Sequence, residues 1–208
     1  MSETAGRRPG NRPGPKPRIS RESIIEAATR VDPLTIGSVA ALLGVTPGSL
    51  YRHVEGLEDL TRGAAEHLFV TTPLPDADLP WRAYLEEEAR WRLELLRAHP
   101  ALFAGPAADL TVVAVDRLTV ILTALKAKGF DTATAVLIAD TLIDLLHDGA
   151  RQALAIRAGD DAPAGYPADV RAAMAVIIAD PWTHLWRKVQ LFLDGVAHGR
   201  CLAGAHPT

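Results

Sequence analysis

LTIGSVAALLGVTPGSLYRHV, residues 34–54, reads as two short helices joined by a tight turn. The first spans Thr35 to Leu43, with Val39, Ala40 and Leu43 on one face. Gly44 follows one residue past the helical pattern, where a C′ backbone commonly takes a positive φ that only glycine adopts without steric cost. Thr46 and Pro47 restart the helix. Threonine can cap free N–H groups, and proline at the first helical position gives up a donor that has no partner there anyway. On the helical period Leu50 and Val54 point inward, while Gly48, Ser49, Arg52 and His53 form a small, polar and basic outward arc.

Two helices, a glycine turn and a second helix exposing small polar and basic groups make a helix-turn-helix, a unit that can enter the DNA major groove. Ala40, Gly44 and Leu50 supply the small residue at the crossing, the turn and the apolar anchor. The run LT-x(3)-VA-x-LLGVTPGSLYRHV, followed by LEDL at 57–60, resembles the tetracycline-repressor (TetR) family of one-component bacterial regulators over residues 20–70. Leu50-Tyr51-x-His53-Val54 is its most specific part. The resemblance implies an all-α fold with an N-terminal three-helix DNA-binding unit (18–70) and a larger C-terminal helical domain for effector binding and dimerisation (78–208), while the Pro/Gly/Arg-rich composition of residues 1–17 reads as a basic disordered arm ahead of them. It also implies double-stranded DNA with a palindromic operator as partner, a small-molecule effector and a homodimer. The DNA contacts expected from it are Arg18, Thr35, Thr46, Pro47, Gly48, Ser49, Tyr51, Arg52 and His53.

Composition is consistent with such a protein. At 48% hydrophobic and 23% charged residues the chain is an ordinary globular one, and no apolar run approaches the roughly 20 residues needed to span a bilayer. The basic, Pro/Gly-rich start has no apolar core, so no secretory leader, no membrane partner and a cytoplasmic location are expected. One cysteine, Cys201, excludes an intrachain disulfide and a thiolate-built metal site. The net charge of −3 hides an asymmetry: Arg7, Arg8, Arg12, Lys16, Arg18 and Arg21 face Glu3 alone in the first 21 residues. A basic arm on an acidic body fits a polyanion held at one end.

Along the chain, Ser20 opens a first helix expected to run to about Val31, where Asp32-Pro33 stops it. Family members usually have several more residues between this helix and the LT of the next, so the angle of the first helix is left open. Leu57 begins a helix to about Val70, at a position where the family most often has a phosphate-contacting lysine. Glu55, Glu58 and Asp59 add negative charge there, which leaves Tyr51, Arg52, His53, Arg62 and the arm to hold phosphates. Three prolines in TTPLPDADLP (71–80) mark a linker. Beyond it the pattern is helical throughout: Trp81 to His99, ended by Pro100; Asp109 to Lys128, stopped by Gly129; Asp131 to about Arg157; Val170 to Ala179; and Pro181 to about Leu202.

Within the helix from Trp81, Glu88, Arg92 and His99 interrupt an apolar arc. A charge on a buried face is costly unless paired, so Glu88 and Arg92 either pair with each other at i and i+4 or border a ligand cavity. In the family this helix runs along the effector pocket, which makes Tyr84, Glu88, Trp91, Arg92 and His99 the expected ligand-binding residues. Asp140, Asp144, His147, Asp148 and Arg151 read as a solvated face of the helix from Asp131, with Gly149 at the centre of its opposite, apolar arc, where another backbone could approach closely. The family pairs its last two long helices with their symmetry mates as a four-helix bundle, so Leu142, Leu146, Gly149, Leu191 and Gly195 are the expected dimer interface. His198, Cys201 and His206 make no convincing metal site, Asp144 and His147 lack a nucleophile, and no cofactor or enzymatic activity is expected.

The function expected is therefore a ligand-responsive transcriptional regulator, most simply a homodimeric repressor released from its operator by a small hydrophobic or aromatic effector. Two other readings stand beside it. One is a helical ligand-binding or enzymatic protein with a vestigial helix-turn-helix, motivated by Leu57 and its acidic neighbours. The other is an effector-free DNA-binding protein in which Glu88 and Arg92 satisfy each other.

Overall fold

In the computed structural model, which describes residues 19–103, 111–157 and 159–203, Ser20 and Thr35 start the first two helices by the same device. Each hydroxyl accepts the N–H of the serine three residues on, and that serine's hydroxyl accepts the cap's own N–H, at 2.9–3.1 Å. Two otherwise unpaired donors are thereby satisfied at each start. The helices are α1 (Arg21–Ala28), α2 (Ile36–Leu42), α3 (Pro47–Leu50), α4 (Leu57–Thr71), α5 (Trp81–Ala98), α6 (Pro100–Phe103), α7 (Thr111–Ala127), α8 (Thr132–Ala155), α9 (Ala168–Ala179) and α10 (Pro181–Ala203). Among the described residues there is no strand, and the fold is all-α.

Several ends differ from the sequence expectation. α1 stops at Ala28 rather than Val31, because Thr29 turns its hydroxyl back onto the Glu26 carbonyl at 2.8 Å and its N–H closes the last turn. The second helix of the helix-turn-helix is α-helical only over Pro47–Leu50. Its last turn tightens, with the His53 N–H on the Leu50 carbonyl at 2.8 Å, while Arg21 takes the His53 carbonyl at 3.0 Å. Thr46 is not a side-chain cap; its hydroxyl lies 3.0 Å from that of Ser49, and only its carbonyl serves the helix. Pro100 ends α5 as expected but also begins the short α6, which the sequence pattern did not suggest. Gly44 and Gly129 do take positive φ, 65° and 87°, at the ends of α2 and α7.

The apolar residues gather into two main cores. The first joins Ile24, Val39, Ala40, Leu50, Val54, Leu60 and Phe69 of α1–α4 and their connections to Leu95 and Leu102 from α5 and α6. The second joins Tyr84, Leu85 and Ala89 of α5, Ile121 and Leu125 of α7, the inner face of α8 and Val189 and Leu193 of α10. A small third cluster, Leu96, Ala150 and Leu185, ties α5, α8 and α10 together. Because α5 contributes to all three, it is the strut between the helix-turn-helix and the rest. No helix among the described residues is long and apolar enough to cross a membrane.

Candidate DNA-reading and ligand sites

Leu50 and Val54 are buried in the first core and hold α3 by its inner face, so that Thr46, Pro47, Gly48, Arg52 and Tyr51, the last 58% exposed, face outward. Ser49 and His53 are half-buried beside them, and Thr35 is exposed at the start of α2. Arg18 lies outside the described residues. Sequence reasoning missed what fixes this surface. The Asp59 carboxylate, nearly buried at the first turn of α4, accepts both Arg21 guanidinium nitrogens at 2.6 and 2.7 Å and the Glu55 N–H at 3.0 Å, with Arg62 at 3.4 Å. Hydrogen bonding to Arg21 holds this carboxyl well below the usual carboxylate range, helped by the Glu55 N–H and Arg62 against the cost of burial. Since Arg21 also binds the His53 carbonyl, one ion pair ties α1, the end of α3 and α4 into a fixed geometry. Asp59 is thus a structural anchor rather than one more repulsive charge. Arg21, Tyr51, Arg52, His53 and Arg62 rim an open cleft of about 310 Å³ around it. Leu57 is exposed at the start of α4.

A second constellation lies on α5, where Tyr84, Glu88 and Arg92 follow at successive turns of one face. Glu88 is buried, and it is paired twice. Arg92 donates to its Oε1 at 2.8 Å, and Arg117 of α7 grips both oxygens at 3.0 and 2.7 Å. All three side chains are sealed from water, at 1% exposed for Glu88, 5% for Arg92 and 6% for Arg117. The Arg117 guanidinium stacks 3.5 Å from the Trp91 ring centroid, and Trp91 meets Phe69 of α4 edge to face at 5.3 Å. Arg117 was not among the residues singled out from the sequence. The signal was there: it lies one turn before the inward-facing Ile121 on α7, a charge on an apolar arc just as Glu88 is.

Two groups in this cluster lack partners. Among the described residues nothing hydrogen-bonds the buried Tyr84 hydroxyl or the Arg92 Nε–H. Burial pushes the Tyr84 phenol up, with Glu88 adding and Arg117 opposing. Burial also lowers the Arg92 pKa, with Glu88 opposing and Arg117 reinforcing. His147 corrects another expectation. It does not lie on a solvated face with Asp144 and Asp148; its Nε2 sits 3.4 Å from Arg92 Nη1, and burial first, then Arg92, pushes its pKa down to about 4.

His99 is not part of this constellation. Eleven residues past Glu88, about 16 Å along the axis, it lines a separate cleft of about 240 Å³ with residues 29–32, Leu34, Ala98 and residues 100–102. Burial lowers its pKa. The residues expected at a dimer interface divide as well. Leu142, Leu146 and Gly149 are buried within the protomer, where α8 packs on α5, α7 and α10, so they are not free to meet a second chain. A Cβ on Gly149 would come within 2.2 Å of Leu185 Cδ1, so the close approach there is a side chain of the same chain. Leu191, 74% exposed, and Gly195 do face outward, with Leu137, 65% exposed, and Gly199. They line an open, mostly apolar groove of about 670 Å³ between α8 and α10.

No protein-family model matches the chain. It is 39% identical over 106 residues to the HTH-type transcriptional repressor DrrR1 of Streptomyces coeruleorubidus, a match that takes in 47% of the chain and only 38% of that relative's length. Among solved structures it is similar to BioQ with its double-stranded DNA operator, with a TM-score of 0.57 and 22% identity over 87% of this chain and 99% of that one. It is also similar to the TetR-family protein ActR of Streptomyces coelicolor in complex with actinorhodin, with a TM-score of 0.65 and 16% identity over 88% of this chain and 98% of that one. At such identities the solved structures establish the fold.

Proposed function

On the premise that this chain has the fold of the tetracycline-repressor family, we propose that it is a homodimeric transcriptional repressor whose grip on a palindromic operator is loosened by a small-molecule effector. The observation that carries the reading is α3. Its apolar side is locked into the first core, and its outer side presents Tyr51, Arg52 and small polar groups at a fixed angle set by the Arg21–Asp59 pair. The repressor name of DrrR1, the operator bound to BioQ and the ligand bound to ActR support the same reading by likeness. The division at the 72–80 linker into a DNA-reading part and an effector-binding part belongs to the proposal, as does a cytoplasmic location.

Dimerisation is supported by the apolar groove between α8 and α10, which is lined by Leu137 and Leu191, the two most exposed leucines among the described residues. Two recognition helices must reach half-sites about one helical turn apart on one face of the duplex, so a small change in their spacing breaks both sets of contacts. On this reading the effector acts at the α5 constellation. Through Trp91 and Phe69 this constellation touches α4, the helix that carries Asp59 and so the seat of α3.

Footprinting on DNA selected from a random library tests the reading. A protected inverted repeat is expected, with Tyr51→Ala and His53→Ala each weakening it by about 1–3 kcal/mol while leaving the thermal midpoint in place. No protected sequence, or variants that bind like the parent, would overturn it.

A further inference from the structure

The α5 constellation holds one carboxylate against two guanidiniums, all sealed from water, and so carries a surplus positive charge with no second carboxylate among the described residues. Neighbouring donors accentuate the surplus. The Arg92 Nε–H and the Tyr84 O–H are both buried and unpartnered, and both belong to side chains on the one face of α5 that carries Glu88. His147, the remaining polar group at Arg92, offers only a neutral lone pair at 3.4 Å. A buried net charge is costly to keep, and buried donors with no acceptor add to that cost, so such an arrangement is stabilised by whatever brings an anion into it. The surroundings are apolar and aromatic: Trp91 under Arg117, Phe69 under Arg92.

We propose that the effector is a flat, largely apolar molecule bearing one acidic group, an aromatic carboxylate in the simplest case, whose anion completes the Arg92–Arg117–Glu88 cluster beside the Tyr84 hydroxyl. This rests on the effector-regulated reading above and adds the chemical class. Tyr84 and Arg92 supply the donors that await an acceptor, and Glu88 keeps the two guanidiniums apart and oriented. A neutral ligand would leave the surplus charge unanswered, and a cationic one would add to it.

Paired probes of identical shape test the charge. The full-length protein is titrated with 2-naphthoate against 2-naphthamide, and with anthracene-2-carboxylate against its carboxamide, following Trp fluorescence and calorimetry at fixed ionic strength. The acid of at least one pair is expected to bind about tenfold or more tighter than its amide. Arg117→Met should abolish that preference. Tyr84→Phe guards against a misfolded arginine variant. Because the Tyr84 hydroxyl has no partner to lose, this variant should melt like the parent yet bind the acid several-fold more weakly, with a smaller loss for the amide, whose neutral carbonyl is the weaker acceptor. Equal or tighter binding of the amides, a preference for acid that survives Arg117→Met, or no binding of any probe by about 1 mM would overturn the proposal. Operator retention separates the two readings. An amide that binds and releases DNA removes only the charge assignment, whereas an acid that binds with Arg117-dependent preference and leaves DNA bound removes the regulatory role and keeps the anion site.

Discussion

His147 enters a positively charged interior as a neutral ring. Burial and the Arg92 guanidinium push its pKa down to about 4, against a weaker opposing pull from Asp148. In the unfolded chain the ring titrates near its ordinary value of about 6.5. Between those values the unfolded chain holds a proton that the folded chain refuses, so the group's contribution is complete above pH about 6.5 and is lost as pH falls toward 4. From this residue alone, stability at pH 5 should be about 2 kcal/mol below that at pH 7.5. Urea unfolding of the parent and of His147→Gln, which keeps an acceptor for Arg92, checks it at both pH values. The variant should be flatter by that amount, and parallel pH profiles would place the ring in solvent. At this scale the sequence was half legible. Glu88 and Arg92 declare themselves as charges one turn apart on an apolar arc. His147, by contrast, sits beside Asp144 and Asp148 on the α8 sequence, and helical period alone cannot tell that a neighbouring helix reaches over to meet it.

Helices were more legible than side-chain partners, because the signals that bound them are local. The capping hydroxyls of Ser20 and Thr35, the Asp131 carboxylate that accepts the Thr134 N–H at 3.0 Å, and the positive-φ glycines each act within a few residues of the end they define. The contact between α5 and α7 is the opposite case: it joins residues 29 apart, and no local pattern announces it. The consequence is energetic. Replacing Glu88 and Arg92 together by leucine and methionine looks harmless if they pair only with each other, yet it strands Arg117 in the interior with no carboxylate. That double variant should lose about 3–5 kcal/mol of stability. Adding Arg117→Met should recover most of the loss, since a well-packed apolar replacement of a whole buried ion cluster is often neutral. Denaturant midpoints of the parent, double and triple variants decide it. A double variant as stable as the parent would show that Arg117 reaches solvent or another anion without Glu88.

Across the whole molecule, α8 and α10 each have two faces, and the two glycines on those helices report on different ones. Gly149 lies on the inner face, where a side chain would run into Leu185 in the small core it shares with Leu96 and Ala150. Leu185 is itself buried, so its side chain would have to shift within a packed core. Gly195 lies on the outer face, with no heavy atom within 4 Å of an added Cβ, in the groove shared with Leu137, Leu191 and Gly199. The folded protomer should therefore tolerate Gly195→Leu, and a dimer seamed along that groove should not. Sedimentation is expected to show Gly195→Leu as a folded monomer with an unchanged helical spectrum and much weaker operator binding, since one recognition helix alone reads half a palindrome. Gly149→Leu is expected to do the reverse: a loss of about 1–3 kcal/mol from overpacking, with the fraction that folds still assembling. If Gly195→Leu remains dimeric, the groove is not the seam. If Gly149→Leu instead yields a stable monomer, the inner face of α8 is reachable by a partner, and the packing of α10 over it must open when two chains meet.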